Sequence, residues 1–129
     1  MTEITIKKER PKHLDLRVIK QPLPAIASIL HRVSGAGLFL MLPFLIYLFD
    51  LSLDSPLGFA MFQSVVAHPL AKLVLLGLLW AFLHHFCMGI RILLLDMDMG
   101  TDLKPARASA KAVMAISLVL TAILGVKLW

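Results

Sequence analysis

Residues 73–91 read LVLLGLLWAFLHHFCMGIR, and the first 18 of them contain no Asp, Glu, Lys or Arg. That length approaches the roughly 20 apolar residues needed to cross a bilayer as a helix. In lipid the backbone has no water to bond, so the run must be helical. Two further runs without these charges flank it, residues 33–49 and 112–126, of 17 and 15 residues. Each is extended by neighbours suited to the interface. Arg32, Lys72, Arg91, Lys111 and Lys127 have long apolar stems that carry their charges towards headgroups, and Ser109 and Ala110 lengthen the third run backwards. The expected fold is all-α, an integral membrane bundle of three transmembrane helices in one anchor domain over residues 1–129. The helices are expected at residues 24–50, 69–96 and 107–128, after an N-terminal segment of residues 1–23.

Composition agrees. The chain has 129 residues, 59% of them hydrophobic, and a mean hydropathy of +0.85. A soluble domain is about 45–50% apolar, and a chain this short cannot hide such a surplus inside itself. The net charge of +5 does not indicate nucleic acid, because the charges flank the apolar runs and form no basic face. Residues 1–32 carry seven Lys or Arg, residues 50–69 none, and residues 91–111 four. The positive-inside rule then puts the N-terminus and the second connection in the cytoplasm, and the first connection on the far side. Lys127 is a single counter-signal, and Trp129 suits the interface. Residues 1–20 are polar and include Glu3 and Glu9. They lack the apolar centre of a signal peptide, so the first helix is expected to act as its own uncleaved insertion signal.

Prolines punctuate the runs. Pro22 and Pro24 mark the start of the first helix and Pro69 that of the second, because an opening turn loses no amide partner to proline. Pro43 is expected to kink the first helix. Residues 52–56 are rich in turn formers, and Asp96, Asp98, Gly100 and Pro105 mark the second connection. Cys87 is the only cysteine, so this chain alone builds no disulfide and no cysteine-based iron–sulfur site.

Two groups of residues suggest chemistry. His84 and His85 lie inside an apolar run, where ionisable side chains are costly and point to function. His85 precedes Arg91 by six residues, so it lies about 9 Å deeper at about 1.5 Å per residue. Successive helical residues diverge by about 100°, so the two histidines cannot share one metal ion in ordinary geometry. One reading gives His85 to a haem iron, since imidazole is a common axial ligand. The other makes it a neutral histidine bonded to a neighbouring helix. Gly89 shares its face and suits either a flat macrocycle or close helix packing. His31 is expected at the membrane boundary, above the depth of His85. His13 and His68 fall outside the runs. A second imidazole would then come from another subunit. The second group is Ser28, His31, Arg32 and Gly35, spaced as one helical stripe. It reads either as a site for a quinone carbonyl or haem propionates, or as an anchor for lipid phosphates. Asp96 and Asp98 read as solvated loop carboxylates or as proton couplers to quinone chemistry. Three helices make a thin bundle with little room for an enclosed site, which favours a partner in the membrane.

Residues 22–35, PLPAIASILHRVSG, and the preceding Arg10-Pro11 and Leu14-Asp15-Leu16 resemble the cytochrome b556 subunit family of succinate dehydrogenase. So do His85-Phe86-Cys87-Met88-Gly89-Ile90-Arg91 with Asp96 after them, and the entry to the last helix at residues 107–111. The resemblance implies a membrane anchor of succinate:ubiquinone oxidoreductase in a bacterial inner membrane. Its implied partners are a flavoprotein subunit with FAD, an iron–sulfur subunit and a second small anchor that shares haem b. It implies ubiquinone as substrate, and it allows a higher oligomer of the complex. His85 would be the axial ligand of the haem iron. His31 and Arg32 would lie near the propionates, and Ser28 and Arg32 would line the quinone site. Some bacterial members carry histidine after the arginine, where this chain has Ile92. A quinol:fumarate reductase anchor has the same pattern. A non-enzymatic small membrane transport or assembly protein is the reading from another class.

Overall fold

The computed structural model describes residues 18–129, which form four helices and no strand. The helices are α1 (Leu23–Asp54), α2 (Pro56–Ala67), α3 (Pro69–Asp96) and α4 (Leu103–Leu128). α1, α3 and α4 are long and apolar enough to cross a membrane, while α2 is apolar but too short. His13 and the Arg10 to Leu16 part of the resemblance lie outside the described residues.

Beyond a one-residue difference at the start of α1, the elements differ from expectation in three places. α1 runs to Asp54, four residues beyond the expected 50, and α4 starts at Leu103, four before the expected 107. The connection between α1 and α3 is itself a helix, α2. Its start is set by Ser55, whose hydroxyl oxygen accepts the amide of Gly58 at 3.0 Å, a cap worth about 1 kcal/mol. A Cβ on Gly58 would lie 3.0 Å from the Leu51 carbonyl oxygen, so α1 and α2 meet there backbone to backbone.

Pro24 and Pro69 sit in opening turns, as their missing amides allow. His68 caps α3 by accepting the amide of Leu70 at Nδ1, 3.2 Å away. Pro43 is inside α1, which continues through it. After α3 the chain reverses through Asp98 and Gly100, both at positive φ (58° and 74°), a region where Asp and Gly are tolerated best.

The packing is inverted relative to a soluble domain. The buried apolar cluster is small: Ala27, Met88, Ala110 and Val113. Beside it are buried Ser34, His84, Arg91, Ser117 and Thr121. Large apolar side chains such as Phe39, Leu40, Phe49, Leu73 and Phe86 point outwards. Apart from Leu48, Met88, His84 and Arg91 the buried residues are small, and small residues inside with large apolar ones outside is the arrangement lipid favours, because tails solvate leucine as well as a core does. α4 shows it directly: Ser117 and Thr121 face inwards and bond the carbonyls of Met114 and Ser117, 3.1 and 2.7 Å away. A Cβ on Gly125 would come 2.8 Å from Leu76 Cδ1.

Candidate functional site at the charged end of the bundle

Arg32 on α1 and Arg91 on α3 mark the same end of the bundle, and the two histidines of α3 reach α1 close by. His84 is fully buried. Its Nε2 lies 3.4 Å from the Ala27 carbonyl oxygen, and its ring stacks on Trp80 with centroids 5.3 Å apart. His84 Nδ1 and Trp80 Nε1 are buried without a hydrogen-bond partner among the described residues. His84 is therefore an interior residue of this chain's own bundle.

His85 is half-buried and meets α1 one turn further along. Its Nδ1 lies 3.0 Å from the His31 carbonyl oxygen and 3.2 Å from Ser34 Oγ. A carbonyl only accepts, so Nδ1 carries the proton and Nε2 keeps its lone pair. The imidazole stacks on that of His31, with centroids 4.0 Å apart and planes 11° from parallel. His31 therefore lies level with His85, not above it as expected. α1 begins at Leu23, one residue before the expected start, so His31 is about 12 Å along it at about 1.5 Å per residue, and the adjacent charge of Arg32 does not mark the helix's beginning.

Gly35 makes this approach possible. A Cβ on Gly35 would lie 2.7 Å from His85 Cε1, a distance real Cβ atoms do not reach. A Cβ on Gly89 would lie 4.0 Å from His31 Nε2, an ordinary contact, so Gly89 faces α1 without being required for the approach. Of the expected stripe, His31 and Gly35 meet α3. Ser28 is half-buried and Arg32 is exposed. Neither makes a side-chain hydrogen bond with a described residue.

Arg91 does not snorkel. It is buried between α3 and α4, where Nε donates to Ser109 Oγ at 3.0 Å and Nη2 to the Ala106 carbonyl at 3.1 Å. Its planar fork suits two acceptors on one helical turn. Asp96 and Asp98 are exposed. Sequence reasoning passed over two residues. Ser109 entered it only as a helix extension. Ser34, next to Gly35 in the quoted motif, falls off the stripe of every third and fourth residue.

A family model described as the succinate dehydrogenase/fumarate reductase transmembrane subunit matches residues 6–124. The chain is 34% identical to a succinate dehydrogenase cytochrome b556 subunit from Coxiella burnetii over 94% of its length and 98% of that protein's. The protein of the same description from Paracoccus denitrificans is 33% identical, over 86% of this chain and 85% of the relative. That from Rickettsia prowazekii is 29% identical over 98% of this chain and all of the relative. With three membrane-spanning helices and a match over nearly its whole length, the chain belongs to the transmembrane subunit family of succinate dehydrogenase and fumarate reductase.

Proposed function

We propose that this chain is a membrane anchor of succinate:ubiquinone oxidoreductase, seated in a bacterial inner membrane with its N-terminus in the cytoplasm. It docks a flavoprotein and an iron–sulfur subunit at the charged end of the bundle, and shares haem b with a second small anchor. Succinate gives up two electrons and two protons on the flavoprotein. The electrons reach a quinone near α1, which takes up two protons to become the quinol.

One observation carries the haem reading: the bond from His85 Nδ1–H to the His31 carbonyl, 3.0 Å long. Haem-ligating histidines need one nitrogen for iron and a fixed partner for the other. His85 has that donor set, since its Nε2 retains a lone pair and no hydrogen bond to a described residue engages it. The group fits this residue, and fits His84 less well, because His84 is enclosed by its own bundle. Haem, when bound, would supply one-electron storage. His85 would hold its iron, and His31 and Arg32 would lie towards its propionates. Arg32 is exposed at the same end as half-buried Ser28, so a hydroxyl and a guanidinium are available to orient a quinone carbonyl.

The relatives' shared description favours succinate oxidation over fumarate reduction as the working direction. The test is purification of the chain with its soluble subunits. Expected are a b-type reduced-minus-oxidised spectrum and succinate-driven quinone reduction. A stable chain with neither haem nor those subunits would instead favour a transport or assembly protein. A complex that oxidises quinol with fumarate, but barely reduces quinone with succinate, would favour the reverse direction.

A further inference from the structure

We infer that Ser34 and Gly35 form a seat on α1 that fixes the His85 ring, making them positioning residues for the haem iron. The inference rests on the ligand reading above. Gly35 supplies the flat part of the seat. A methyl group there would lie 2.7 Å from Cε1 and 3.2 Å from Nδ1 of His85. It would push the ring off α1 and carry Nδ1 away from the His31 carbonyl. Ser34 supplies the polar part. It is buried, and its hydroxyl donates to the His31 carbonyl at 2.9 Å. Its oxygen also lies 3.2 Å from His85 Nδ1. The Nδ1 proton therefore has two acceptors on a single turn of α1, and one of them tethers the other.

Such a seat has two consequences. It selects the tautomer with Nδ1 protonated, leaving Nε2 as the free nitrogen. It also raises the electron density of the imidazole, since an acceptor on the distal N–H increases ligand basicity. The structure supplies its own control. Gly37, two residues further along α1, has nothing within 4 Å of an added Cβ. Alanine at 35 and at 37 changes helix propensity alike, but only the first meets His85.

The test uses the complex with its soluble subunits and compares Gly35→Ala, Gly37→Ala, Ser34→Ala and His85→Ala. The readouts are the haem midpoint potential and the electron paramagnetic resonance g values of the ferric haem. Gly37→Ala should match the parent protein. Gly35→Ala should shift the g values or lose haem. Ser34→Ala should keep haem and shift the potential beyond replicate scatter. An unshifted Ser34→Ala overturns the inference, even if Gly35→Ala fails to assemble. So does a Gly35→Ala complex indistinguishable from Gly37→Ala. If His85→Ala loses haem while the seat variants are unchanged, the seat alone is wrong. If His85→Ala keeps an unaltered haem, the ligand reading falls with it.

Discussion

At the end where α3 passes into α4, hydrogen bonds of 2.9–3.2 Å join His31, Ser34 and His85 between α1 and α3, and Arg91 and Ser109 between α3 and α4. At the other end, α1, α2, α3 and the last residues of α4 enclose an open groove of about 690 Å³. Its walls include Leu45, Phe49, Phe62, Leu79 and Phe82. The first end spends polar groups where they are costly. The second is mainly apolar, and its polar bonds, such as those of Ser52, Ser55 and His68, are local ones at helix ends. Polar interactions at membrane depth persist when they hold a geometry, and here they orient one imidazole and join two helices.

The largest effect should come from cutting the α3–α4 tie. Arg91→Leu removes the bonds to Ser109 and Ala106, and hydrogen bonds to charged groups contribute about 1.5–3 kcal/mol each. The thermal midpoint of the purified complex should fall by several degrees and its yield should drop. Arg91→Lys should not restore either, since an ammonium lacks the planar fork. Phe82→Ala in the groove is the matched comparison. Its side chain is 55% exposed, so it should shift the midpoint far less. An equal fall in both variants would erase the distinction between the ends.

A smaller and more selective effect is expected at Arg32. It is exposed, so Arg32→Leu should leave the assembly intact. Quinone reduction should fall several-fold, while succinate oxidation with a soluble artificial acceptor is retained. Parallel loss of both rates would mean failed docking of the soluble subunits, not a lost quinone contact.

The three spanning helices were legible because lipid imposes a simple rule of long runs without charge. α2 was not. Residues 56–67 are apolar but short, and a dozen such residues fit a helix or a loop equally well until Ser55 caps Gly58. The candidate ligand His85 could be singled out from His84 by its register with Gly89 and Arg91 in the motif that carries the family resemblance. Its partner could not, because the acceptor is a backbone carbonyl, which every residue has. The level of His31 was not legible although the start of α1 was expected within one residue, because the nearest charge, Arg32, stands well inside that helix and does not mark the level at which α3 crosses it. Arg91 looked like an edge residue because its acceptors, Ser109 and the Ala106 carbonyl, lie far along the chain.

Imidazole rescue tests most directly whether His85 holds the haem iron. The side chain is removed in His85→Gly, and imidazole is then added to the assembled complex. The b-type band should be lost or altered in the variant and return as imidazole is titrated in. His84→Gly, which empties the interior position beside Ala27 and Trp80, should keep its band and show no response. A normal haem spectrum in His85→Gly, or rescue confined to His84→Gly, would contradict the assignment.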